Sequence, residues 1–189
     1  MECKNCKEDH SEETSDSPYE LSSAEYAEAA DYWHKKDAEA VQMDRDALIQ
    51  TANGFLSSHN TCALATGSGE FIRCTPLEYT WHDGAVWIFT EGGEKFIGLE
   101  KNRNVCLAVY ESYTGFGSIQ GMQVSGTAAM IQPFCKAYEQ EAQIRKIPLE
   151  AMKKLPEPMH LIRVMPTEAV FTNSDFKKNG FGSRQHIRF

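Results

Sequence analysis

No run of apolar residues in this chain is long enough to cross a bilayer. The opening residues Met1-Glu2-Cys3-Lys4-Asn5-Cys6 carry no apolar signal core. A positive balance is also missing. Nineteen basic residues against 27 acidic ones leave a charge of −8. That argues against nucleic-acid binding and leaves no polybasic patch for a membrane surface. The chain has no nucleophile elbow, Walker loop, dinucleotide fingerprint or internal repeat. A cytoplasmic protein with six reduced cysteines is the expectation.

What is present argues for a folded domain. The apolar fraction is 41%, with 10 Phe, 7 Tyr and 3 Trp in 189 residues. The charge is uneven. Residues 1–40 hold 12 acidic and 4 basic residues, whereas residues 151–189 hold 3 acidic and 7 basic. Residues 1–21 read as an acidic, mobile arm, and residues 176–189 as a basic tail that can face an anion. The folded domain is expected over residues 22–175.

Hydrophobic spacing assigns the elements between these ends. Ser22-Ser23 can cap a helix over Ala24–His34, and Asp44 or Asp46 one reaching Ser58. Strands are expected over 61–66, 70–81, 85–90, 104–111 and 120–131. A helix starts at Pro133 and runs to about Lys146, and a further helical turn or two falls within 148–155. Two last strands follow at 159–165 and 168–172. Hairpin-linked antiparallel strands with a few helices predict a small barrel wrapped by helices.

Four places can carry chemistry. In the first, strand Val86–Thr90 meets Glu91-Gly92-Gly93 and then a short helix with Lys95. Backbone N–H groups there, the Thr90 hydroxyl and the Lys95 charge suit a phosphate. In the second, Arg73-Cys74-Thr75-Pro76-Leu77-Glu78 puts a proline inside a strand, which marks an edge. Arg73 can meet an anion there, or simply face solvent. In the third, strand alternation would line up Arg184, His186 and Arg188 on one face. The fourth, Cys3-x-x-Cys6 with His10, is half of a zinc site or a redox dithiol, and more simply a free arm. Cys62, Cys74, Cys106 and Cys135 sit among apolar residues and read as small core side chains. His34, His59 and His82 have no constellation near them in sequence, and read as surface or helix-end residues.

These pieces together resemble the pyridoxamine 5′-phosphate oxidase-like, flavin-binding split-barrel family over roughly Asp44 to Thr172. The resemblance rests on Cys62–Thr66, Arg73–Glu78, Phe89-Thr90, Lys95, Lys101–Val105 and Val124–Ala128 in that order. It implies a mainly β fold with flanking helices, a six-stranded antiparallel split barrel. It further implies a homodimer binding flavin mononucleotide (FMN) between subunits, with a small-molecule substrate. Arg73, Cys74, Thr75, Pro76 and Leu77 would line the flavin ring and ribityl chain. Phe89, at the end of the third strand, would be a cofactor-binding residue, and Thr90, Glu91 and Lys95 would surround the phosphate. Gln123, or Gln120, would approach from the fifth strand. Arg184–Phe189 resembles an Arg-x-His-x-Arg-Phe motif whose first Arg and His meet substrate and whose second Arg meets FMN. That implies Arg184 and His186 for substrate and Arg188 for FMN. The sequence departs from the family pattern at Glu94, which stands where a second cation is implied before Lys95. The expected function is an FMN-dependent oxidoreductase. The alternative is a non-catalytic flavin or haem binder on the same barrel.

Overall fold

The computed structural model describes residues 19–115 and 117–189. The Cys3-x-x-Cys6 pair and His10 lie outside the described residues. The chain divides into two compact units, residues 1–38 and 39–189.

In the first unit, α1 (Ser23–Glu39) starts at a reciprocal cap. Ser22 N–H and Oγ–H both donate to Glu25 at 2.8 and 2.7 Å, and Ser22 Oγ accepts from the Glu25 N–H. The helix runs five residues past its expected end and buries none of its residues.

The second unit holds α2 (Arg45–Ser58), β1 (Thr61–Ser68), β2 (Phe71–Glu78), β3 (Thr80–His82) and β4 (Ala85–Thr90). Then come α3 (Lys95–Lys101), β5 (Asn104–Tyr110), β6 (Gln120–Ile131), α4 (Lys136–Ile144) and α5 (Leu149–Met152). It ends with β7 (His160–Asn173), a short 3₁₀ helix (Ser174–Asn179) and β8 (Arg184–Arg188). Asp44 is the cap that starts α2, accepting from the Asp46 and Ala47 N–H groups.

All eight strands join one antiparallel sheet, ordered β2-β1-β5-β6-β7-β4-β3, with β8 on β7. β2 and β3 lie at opposite ends of that order, yet only Tyr79 separates them in the chain. The two ends of the sheet must therefore meet. The sheet curls into a barrel that stays split where β2 and β4 approach without pairing. This is the expected split barrel with flanking helices. Tyr79 makes the corner: it is buried, its N–H donates to Asn60 O at 2.7 Å, and its hydroxyl donates to Leu56 O at 2.8 Å. The strand expected over 70–81 is broken at this corner.

Two apolar clusters hold the unit together. Leu64, Ile88, Leu107, Val124, Ile162 and Phe171 fill the barrel, with Ala52, Phe55 and Leu56 of α2 packed on them. Trp87, Phe89 and Leu161 form the second, on the outer side of β4 and β7, with Tyr138, Ala142 and Met152 of α4 and α5 over them. Truncating a fully buried leucine such as Leu107 removes about 2–5 kcal/mol. α3 lies close on β1, because a Cβ on Gly98 would stand 2.9 Å from the Gly67 nitrogen. That contact fixes the helix carrying Lys95 against the sheet.

Candidate functional site

Paired residues of an antiparallel sheet share a face. The register here lines up Pro76, Ala63, Ala108, Gln123, Val170 and His186 in one row. The next row is Cys74, Ala65, Cys106, Ser125, Glu168 and Arg188. Arg184 follows in a third row with Tyr110, Gly121 and Thr172. This is the outward face of the barrel, and alternate positions such as Leu64, Leu107, Val124 and Ile187 point into the core. Its middle is floored by small side chains. Pro76, Cys74, Gln123, His186 and Arg188 are exposed on it.

Several sequence expectations can be placed on this frame. The three polar residues of the C-terminal motif do share one face, because β8 buries Gln185 and Ile187 between them. Gln123 is on that face, whereas Gln120 has the parity of buried Met122 and Val124. β2 is an edge strand, as Pro76 requires. Of the four cysteines read as core, only Cys62 is buried; Cys74 is exposed, and Cys106 and Cys135 are half-buried. Cys74 and Cys106 flank Ala65 on the outward face, so their apolar sequence neighbours point the other way.

Arg73, Thr75 and Leu77 have the opposite parity, pairing with Thr66, Leu64 and Cys62. Leu77 packs against the barrel core. Arg73 reaches across to the residue before α3 and forms an ion pair with Glu94, its guanidinium 5.4 Å from the centre of the Phe71 ring. Thr90 and Lys95, on the β4 side of the split, are both buried. The Thr90 hydroxyl donates to Glu91 O at 3.0 Å. Lys95 Nζ donates to Glu91 O at 3.0 Å and Gly92 O at 2.7 Å. The turn thus offers its carbonyls to the lysine, while the Phe96 and Ile97 N–H groups are used on Gly93 O and Glu94 O. Burial lowers the Lys95 ammonium below the ordinary lysine range, and the nearby Glu91 charge opposes that shift. Phe89 is turned away from the split and meets Tyr138 edge-on at 5.0 Å under α4.

A second polar cluster lay hidden in the sequence. Glu141 of α4 is 1% exposed and accepts from Thr80 Oγ and His82 Nε2. His82 lies parallel to Trp87 at 5.3 Å and meets Asp83 at 3.3 Å through Nδ1. Burial alone would lower the His82 pKa. The hydrogen bond and charge of Glu141, followed by Asp83, outweigh it, and the net shift is upward. His59 is the helix-end residue expected: it caps α2, with Nδ1 2.7 Å from Phe55 O and Nε2 2.9 Å from Glu111. Among the described residues no cluster of His, Cys, Asp and Glu forms a metal site. No described helix is long and apolar enough to cross a membrane.

A family model described as pyridoxamine 5′-phosphate oxidase matches residues 48–173. The chain belongs to the pyridoxamine 5′-phosphate oxidase-like family. No curated protein matches its sequence. Among solved structures, Campylobacter jejuni ChuZ is similar, with a TM-score of 0.60 and 16% identity over 78% of this chain and 61% of ChuZ. The chain therefore spans less than two thirds of that relative. An FAD-binding protein from Mesorhizobium loti follows with a TM-score of 0.53 and 16% identity over 64% of this chain and 89% of its own. The haem storage protein HutZ from Vibrio cholerae has a TM-score of 0.51 and 14% identity over 66% of this chain and 91% of its own. At these identities the likeness shows the fold. Proteins that bind flavin and proteins that bind haem share this barrel, so membership of the pyridoxamine 5′-phosphate oxidase-like family does not name the ligand.

Proposed function

We propose that this protein binds FMN as a homodimer and passes electrons between the flavin and a small-molecule substrate. The observation that carries the reading is the pair of cations at the split. Arg73 stands on β2, Lys95 follows β4, and Arg73 already grips a carboxylate. A site that holds a carboxylate has the donor chemistry for a phosphate. The buried Thr90 hydroxyl adds a third polar group beside Lys95. FMN, when bound, supplies the redox chemistry itself, so no general base need stand out among the side chains.

The residues divide by role. Arg73, Thr90 and Lys95 hold the phosphate. Cys74 and Pro76 on the outward face, with Thr75 and Leu77 behind them, border the ring and ribityl chain. Gln123 contributes from mid-sheet. Arg188 meets FMN, and Arg184 and His186 orient an anionic or polar substrate.

The sheet itself argues for two copies. β2 and β8 lie five strand spacings apart, roughly 24 Å along the curved sheet. A second copy laid face to face brings its β8 to the first copy's β2, and the small-residue floor lets the two sheets approach closely. Titration of FMN into purified protein tests the reading, with quenching of flavin fluorescence as the signal. Saturable binding at one FMN per chain, in a particle of dimer mass, is the expected result. Undiminished fluorescence at all concentrations contradicts it.

A further inference from the structure

We propose that Glu94 is a built-in competitor for the phosphate subsite and weakens the chain's preference for phosphorylated over unphosphorylated flavin. This rests on the FMN reading above. The geometry is direct. The Glu94 carboxylate takes the Arg73 guanidinium through both Nε and Nη2. That edge is one of the two on the guanidinium that offer a phosphate a two-pronged contact. Glu94 must leave before a phosphate can take it.

Charge points the same way. Four charged groups gather around this turn: Arg73 and Lys95 against Glu91 and Glu94. They sum to zero, so a phosphate dianion enters a neutral site rather than a cationic one. Lys95 keeps its charge and one N–H for the phosphate, the other two being engaged by the Glu91 and Gly92 carbonyls, so the charge that Glu94 cancels is that of Arg73. The pair is also free to exchange. The Arg73 and Glu94 side chains are 46% and 60% exposed, and exposed ion pairs are weak. A buried partner would lock the site; this one sets a threshold. Arg73 is thereby kept satisfied and ordered when no anion is present, and the cost appears as lower phosphate affinity.

Glu94→Gln separates these roles, because it removes the charge and leaves the size. FMN and riboflavin, which differ only by the phosphate, are titrated into wild type, Glu94→Gln, Glu94→Asp and Arg73→Ala/Glu94→Gln. The expected result is that Glu94→Gln tightens FMN by about five- to tenfold and leaves riboflavin unchanged. Glu94→Asp keeps the carboxylate and stays near wild type. Arg73→Ala/Glu94→Gln loses the gain. Wild type that binds FMN, with Glu94→Gln equal or weaker, overturns the inference alone. A gain shared equally by riboflavin also overturns it. If neither wild type nor Glu94→Gln binds FMN, the flavin reading falls and the inference with it. Near-UV circular dichroism of each variant confirms that the barrel is intact.

Discussion

Two carboxylates in this molecule each hold a cationic or cation-forming partner across two elements, and they do so in opposite surroundings. Glu94 meets Arg73 at the open split, with 60% of its side chain exposed. Glu141 meets His82 and Thr80 beneath α4, with 1% exposed. In water a charge loses little when its partner leaves, so the Glu94 pair can be exchanged for a ligand. Under α4 a carboxylate that loses its cation stays out of water with only the Thr80 hydroxyl, so the Glu141 cluster is committed to structure. Exposure, more than the identity of the pair, separates a site from a strut. Arg145, also of the α4 end, is intermediate: it is nearly buried, but its partner Glu78 at the end of β2 is exposed.

The largest effect should come from breaking the buried partnership. Glu141→Ala should destabilise the fold by about 3–5 kcal/mol, read from urea unfolding. A loss under 1 kcal/mol would put Glu141 in the same class as Glu94. Next comes the split. Lys95→Ala should weaken FMN binding by about 1.5–3 kcal/mol in calorimetric titration, and an unchanged affinity removes Lys95 from the site. The third effect is a pH slope. The His82 pKa is raised in the fold above its ordinary value of about 6.5. Its stabilising contribution is therefore complete below that value and is lost as pH rises through the raised value. Stability of wild type should fall over that window, and His82→Gln should flatten that part of the profile. The smallest effect is expected from Glu94→Ala, which should change stability by no more than about 1 kcal/mol.

Much of the barrel can be read from the chain because its strands show either alternation, as in Gln120–Ile131, or a short apolar run between turns, as in Ala85–Thr90. Ala85–Thr90 and Gln120–Ile131 begin and end where the pattern does. The failures have local causes. Phe134 takes a positive φ of 60° and Cys135 takes the cap position, so α4 starts at Lys136 instead of Pro133. The pattern predicts separate strands at 159–165 and 168–172, yet β7 runs through Pro166 between them. The sheet accommodates it at the bulge where β6 shifts register between Ser125 and Gly126. Gly126 is required there, since a Cβ would stand 2.5 Å from Met165 O. The C-terminal segment forms β8 because Gln185 anchors it from within, accepting from the Met43 N–H at 2.8 Å and donating to Gly182 O and Val41 O.

The site was legible in kind but not in arrangement. Arg73, Lys95 and the Arg184–Arg188 motif stand out by residue type. Their division between the split and the outward face depends on register, which no single strand reveals. Glu141 lies 59 residues from His82, so only packing could join them. The exposure of Cys74 follows from which side of an edge strand it occupies, which its apolar sequence neighbours conceal.

The proposed role of Arg73, Thr90 and Lys95 is to hold a flavin phosphate. Denaturing the purified protein and identifying the released cofactor by mass and absorption spectrum tests it most directly. The expected result is FMN, close to one per chain and depleted in Lys95→Ala. Released haem, or a chain that carries no flavin and takes up none when it is supplied, would contradict it.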